Sequence, residues 1–210
     1  MGIGCGGILR IGMLTDKIKK YKLILASGSP RRSSLISGLD FDFTVEKNAC
    51  EDESFDDTLP LNEVAIYLAD KKSDHFLRPI SENEILITAD TIVICDERVL
   101  NKPSTVDEAF EMLKFLSGKT HTVSTGVTIR TSIKRVSFSD ETEVKFKELT
   151  DDEIIYYIEH YKPFDKAGSY GAQDWIGLVA IEKINGSYFN IMGFPVHRFY
   201  SEIEKLISEI

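Results

Sequence analysis

Apolar positions along this chain fall into two kinds of pattern: short unbroken runs, and stretches where they recur every three or four residues. Residues 22–26 ("KLILA") and 85–89 ("ILITA") are runs too short for helices and read as buried strands. Between them, Val64, Ala65, Leu68 and Ala69 recur at helical spacing and predict a helix over residues 62–76. Ser29-Pro30 reads as an N-cap followed by proline at the first helical position, opening a helix that ends near Ser37 before Gly38. Thr105-x-x-Glu108 and Thr150-x-x-Glu153 are capping boxes, placing helices over residues 106–116 and 151–161. Two β-rich runs, 121–130 and 135–149, read as antiparallel neighbours around a basic turn. A strand over 178–184, the turn "NGSY" and a C-terminal helix complete the pattern. Strands alternating with helices predict an α/β protein: a mixed twisted sheet with flanking helices.

Composition narrows the class. At 210 residues, with 42% hydrophobic and 28% charged residues, the chain suits one globular domain. Residues 13–210 show no separating linker, while the Gly-rich residues 1–12 have little to pack and are expected to lie outside the fold, with translation starting at Met13. A formal net charge of −9 excludes a general coat for DNA or RNA, which needs a basic face. No apolar run reaches the ~20 residues of a membrane span, and the N-terminus lacks the pattern of a secretory signal. Cys5, Cys50 and Cys95 have neither CxxC spacing nor an even count, so a reducing cytoplasm is expected.

Candidate chemistry begins at "LILASGSPRR". A helix N-terminus offers unpaired N–H groups and partial positive charge, and Gly28 lets a ligand approach the backbone. Ser27, Ser29, Arg31 and Arg32 add hydroxyls and guanidinium forks suited to phosphate. The segment is therefore either a phosphate cradle or a capped helix whose arginines pair with surface acids. Asp90, placed at the carboxyl end of the second strand, can serve as general base, hold a metal or cap a turn. Lys102 lies where its ammonium can reach the same crevice or remain in solvent. The acidic run "NACEDESFDD" offers oxygen ligands for Mg²⁺ or forms a solvated loop. "GKT" at Gly118–Thr120 lacks the first glycine of a P-loop, and the four histidines have no HExxH spacing.

Taken together, "LASGSPRRSSL", "ITADTIV", "NKPSTVDEAFEMLKFLSGKTHTVSTGV", "DKAGSYGAQ" and "INGSYFNIMGFP" resemble, in order and spacing, the motifs of the Maf nucleotide pyrophosphatases. The resemblance implies two lobes around a deep nucleotide-binding cleft, often in a homodimer, as in the Maf/ITPase-like folds. It also implies hydrolysis of a nucleoside triphosphate to the monophosphate and pyrophosphate with Mg²⁺ or Mn²⁺. On this matching Asp90 is the proton acceptor, and Arg31, Thr91 and Gln173 are tied to base choice. Ser27, Arg32, Lys72, Lys102 and Asp165 fall on cleft positions, and Glu51 is the expected metal ligand. Four positions depart from the usual pattern: Cys50 where aspartate is common, Asn101 where glycine is common, and Asp174-Trp175 where a Gly-rich continuation is frequent.

Gln173 bears on the substrate. Its amide presents one donor and one acceptor in a plane, complementary to O4 and N3–H of uracil and thymine. Guanine-type bases, with adjacent donors at N1 and N2, suit a carboxylate better. The expected substrates are dTTP and UTP, with nucleotide-pool house-cleaning and a link to cell-division arrest as the wider role. A flipped amide also suits cytosine, so CTP stays open, as do 7-methyl-GTP and a nucleotide-binding regulator of cell division.

Overall fold

The computed structural model describes residues 13–47, 50 and 52–210. Residues 1–12, expected to be an extension, and Glu51, the expected metal ligand, lie outside the described residues. In chain order the helices are α1 (Leu14–Lys17), α2 (Pro30–Ser37), α3 (Leu61–Asp74), α4 (Val106–Leu116), α5 (Asp151–Tyr161), α6 (Trp175–Ala180), α7 (Tyr188–Ile191) and α8 (Val196–Glu209). The strands are β1 (Lys22–Leu25), β2 (Phe43–Val45), β3 (Glu84–Cys95), β4 (Arg98–Leu100), β5 (Thr120–Arg130), β6 (Arg135–Phe146) and β7 (Ile181–Asn185).

The strands form one seven-stranded mixed sheet in the order β2-β1-β3-β5-β6-β7, with β4 also paired to β3. β1 runs parallel to β2 and β3, as the α/β pattern requires, and β3, β5, β6 and β7 are successively antiparallel. The α5 capping box is complete: Thr150 accepts the Glu153 N–H and Glu153 accepts the Thr150 N–H. At α4 Thr105 caps Glu108, but the Glu108 carboxylate takes the N–H of Ser104 instead of that of Thr105.

Two long strands divide the core into two lobes. Residues near the start of β3 and the end of β5 (Ile85, Ile87, Val127, Ile129) pack with Leu23, Leu25 and the α8 residues Phe199 and Ile203. The opposite ends (Val93, Cys95, Val123) pack with Leu113, Phe146, Ile154, Tyr157 and Ile176. α3 covers the other face through Val64, Ala65 and Leu68 against Ile92.

Two expectations change. The predicted strand over 178–184 begins only at Ile181, because residues 175–180 turn as α6 and bury Ile176 and Ala180 in the second lobe. Asp90 lies in the middle of β3, opposite Gly126 of β5, and not at the end of its strand. What ends there is the neighbour: β1 pairs with β3 only up to Ile87, and β4 only from Val93. Among the described residues, no strand flanks 88–92 on that side.

Candidate active site

The gap between β1 and β4 opens into a cavity of about 810 Å³ at the junction of the two lobes. Ser27, Arg31, Arg32, Lys72, Asp90, Thr91, Lys102, Asp165 and Gln173 all line it. Residues scattered over nearly 150 positions of the chain thus meet at one place because β3 runs through both lobes and its neighbours enter from each.

Alternation along β3 sends Asp90 and Thr91 to opposite faces of the sheet. Asp90, buried at 4% exposure, faces α3, where Lys72 donates to its Oδ1. Lys72 also reaches Glu53 Oε1 at 3.2 Å, and Lys102 donates to the same Glu53 oxygen. Burial alone raises the pKa of Glu53, but the Lys102 hydrogen bond and the charges of both lysines outweigh it and hold the carboxylate below its ordinary value. The acidic run therefore divides. Glu53 turns into the cavity, whereas the exposed Asp52 pairs outward with Lys71 at 2.7 Å.

On the other face, Thr91 Oγ1 accepts from Arg32 Nη2 at 3.0 Å and lies 3.0 Å from Thr125 Oγ1. Arg32 Nη1 donates to Ser27 Oγ at 3.3 Å, and its Nε donates to the Gly193 carbonyl at 2.9 Å. Gly193 has φ 106°, a conformation that glycine adopts without strain. Loss of solvent lowers the Arg32 pKa, and the charge of Asp90 opposes the shift. The guanidinium is fixed on three sides.

Arg31 does pair with an acid, Asp165 at 2.7 Å, yet that acid comes from the far wall of the cavity, 134 residues away in sequence. Ser29 occupies the N-cap position of α2 without a side-chain cap bond; its own N–H donates to Ser27 Oγ at 3.2 Å. A side chain added at Gly28 would meet no atom of the protein within 4 Å, so the space beside it belongs to the cavity. Asn101, where glycine is common, has no positive φ, so the backbone there does not require glycine.

Gln173 is exposed at the rim, on the turn before α6. Sequence reasoning did not single out Glu53, which was hidden within the acidic run, nor Lys166. Lys166 pairs with Asp165 at 2.7 Å and lies 3.7 Å from Asp174. Tyr170, also in the wall, turns its hydroxyl away to His121 Nε2 at 2.8 Å. Burial lowers the His121 pKa to about 4, so this contact is neutral at physiological pH.

Two carboxylates meeting beneath a group of cations suit a divalent ion, which takes one or two protein carboxylates and completes its shell with substrate phosphate. Asp90 and Glu53 both lie within reach of the Lys72 ammonium, and among the described residues no group of three or more His, Cys, Asp or Glu side chains is arranged to hold a metal ion. Among the described residues, no helix is long and apolar enough to cross a membrane.

The family model described as Maf-like protein matches residues 22–206. A dTTP/UTP pyrophosphatase of Parabacteroides distasonis is 47% identical over 191 residues, covering 91% of this chain and 99% of that one. Its counterpart in Phocaeicola vulgatus is 49% identical over 193 residues, covering 92% and 100%. One from Flavobacterium johnsoniae is 45% identical over 195 residues, covering 93% and 100%. A match extending through both lobes and every strand that lines the cavity makes this chain a member of the Maf family.

Proposed function

We propose that this chain hydrolyses dTTP and UTP to the nucleoside monophosphate and pyrophosphate. The observation that carries the reading is the junction cavity itself: a buried carboxylate held by a lysine, a surrounding set of cations, and one exposed glutamine at the rim. The names of relatives matched over nearly their whole length support the same substrates.

In this reading the triphosphate lies along Arg31, Arg32, Lys72 and Lys102, with Ser27 and the N–H groups of α2 beside it. Glu53 would hold the divalent ion, Mg²⁺ or Mn²⁺, together with Glu51, the expected metal ligand. When bound, that ion screens phosphate charge as it builds on the leaving group. Lys72 fixes Asp90 through Oδ1, and the second carboxylate oxygen accepts the proton of the water that attacks the α-phosphorus. The P–O bond to the β-phosphate breaks, and the surrounding cations stabilise the departing pyrophosphate. A positioned general base is worth about 10²–10⁴-fold in rate.

Gln173 reads the base edge, donating to O4 and accepting from N3–H. Thr91 and Arg31 shape the approach to it. The wider reading places a homodimeric enzyme in a reducing cytoplasm, in keeping with a buried free thiol at Cys95. The test is pyrophosphate release from each common and modified nucleoside triphosphate, with and without Mg²⁺. Release confined to dTTP and UTP in the presence of metal supports the reading; a preference for 7-methyl-GTP, or binding without turnover, refutes it.

A further inference from the structure

Asp174 occupies the N-cap position of α6, where an aspartate side chain ordinarily accepts a helix N–H. Here it makes no such bond. Its Oδ2 instead accepts from the Tyr157 hydroxyl at 2.8 Å, and the same phenol oxygen accepts the Gly171 N–H at 3.1 Å. The Asp174 N–H closes the turn onto the Gly171 carbonyl at 3.0 Å. One oxygen of α5 thus ties both ends of the four-residue turn that carries Gln173.

The tie is anchored in the core. Tyr157 is fully buried in the second lobe and stacks on Tyr161 at 5.2 Å. Burial, together with the Asp174 hydrogen bond, raises its pKa, so the phenol stays a donor across the physiological range. The turn is also drawn tight. A Cβ at Gly171 would lie 2.6 Å from Asp174 Oδ2 and 2.9 Å from Gln173 Nε2. Lys166 then links Asp174, at 3.7 Å, to Asp165, which holds Arg31.

Resting on the reading of Gln173 as the residue that meets the base, we propose that Tyr157 and Asp174 are positioning residues for base selectivity. Neither lies among the groups assigned to the phosphates. They hold the backbone of the turn so that Gln173 stands where its amide can meet the base edge, donor toward O4 and acceptor toward N3–H. With the tie cut, the turn loosens, Gln173 is no longer held against the base edge, and discrimination between uracil and cytosine weakens.

The experiment compares Tyr157→Phe and Asp174→Asn with wild type and Gln173→Ala, measuring pyrophosphate release from UTP and CTP at saturating Mg²⁺. For the two positioning variants, KM for UTP should rise about three- to tenfold, the effect of one lost hydrogen bond, with kcat falling less than about twofold. The UTP:CTP ratio of kcat/KM should shrink by a similar factor. Inhibition by inorganic tripolyphosphate, which has no base, should keep its wild-type constant. A purely structural role would depress kcat for both nucleotides alike and weaken tripolyphosphate too, overturning the proposal. If both variants keep the wild-type ratio while Gln173→Ala lowers it, the inference fails and the base-pocket reading stands. If Gln173→Ala also leaves the ratio unchanged, that reading fails and the inference with it. Tyr157→Phe removes a single oxygen from a retained ring, so it carries the test even if Asp174→Asn folds poorly.

Discussion

Replacing Gly126 by alanine would test whether the seating of α3 sets the position of Lys72. Gly126 lies directly opposite Asp90 in the β3–β5 ladder, and the backbone of α3 rests on it. An added Cβ would stand 2.0 Å from the Ala65 carbonyl oxygen and 2.6 Å from the Ile66 nitrogen, where real Cβ contacts essentially never fall below 3.0 Å. Peptide atoms cannot rotate aside as a side chain can, so the helix must withdraw by about 1 Å from a close-packed interface. That places the cost at the upper end of the overpacking range, about 3 kcal/mol. For a chain of this size it corresponds to a fall in Tm of roughly 6–12 °C. Lys72 rides on the same helix two turns further on, about 10 Å along its axis. A 1 Å displacement at reacting groups can cost about 10²-fold in rate. Calorimetry gives Tm, and kcat for UTP should be measured well below the transition. An unchanged Tm would show that α3 does not press on Gly126. A lowered Tm with wild-type kcat would show that Lys72 is not placed through that contact.

Three further outcomes follow from groups already described. Asp90→Asn should lower turnover by about 10²–10⁴-fold while nucleotide binding, measured by calorimetric titration, persists; normal turnover at saturating metal and substrate removes Asp90 as the base. Gln173→Glu should reduce the preference for UTP over 7-methyl-GTP by at least roughly tenfold, since the carboxylate loses the donor to O4; an equal ratio of kcat/KM in both proteins takes Gln173 out of the base pocket. Glu84 is held at about 2, against an ordinary 4.5, chiefly by its hydrogen bonds from Arg78. Because its folded pKa is depressed, its contribution is complete above pH 4.5 and lost as pH falls toward 2. The urea midpoint should drop across that window in wild type, and less so in Glu84→Gln; parallel profiles would remove Glu84 as the source.

The elements that were legible in advance are those whose signals are local. Ser29-Pro30, the capping box at Thr150, and the spacing of Val64, Ala65, Leu68 and Ala69 each specify a helix without help from the rest of the chain. The polar Asp90 looked like a strand terminus because an ionisable residue in a buried run is costly unless partnered. Its partner, Lys72, comes from a helix 18 residues earlier, which periodicity alone does not pair with it. Short β2 and β4 carried too little pattern to stand out, and both depend on pairing with β1 and β3. Within the site, the described motif residues line one cavity. Glu53 did not stand out because its neighbours are also acidic, and only the fold distinguishes the inward carboxylate from the outward Asp52.

The break between β1 and β4 has a consequence for how the sheet meets other chains. An unpaired strand edge usually invites a foreign strand and must be blunted by charge, by brevity or by cover. Here, among the described residues, the stretch without a strand partner on that side spans only 88–92, bounded at one end by β1 and at the other by β4, with Arg32, Lys72 and Lys102 standing around it. A second polypeptide cannot lie straight along so short an edge without striking its neighbours, whereas a small anionic molecule can enter end-on. The interruption that exposes the strand is thus too short to offer a pairing edge to another chain.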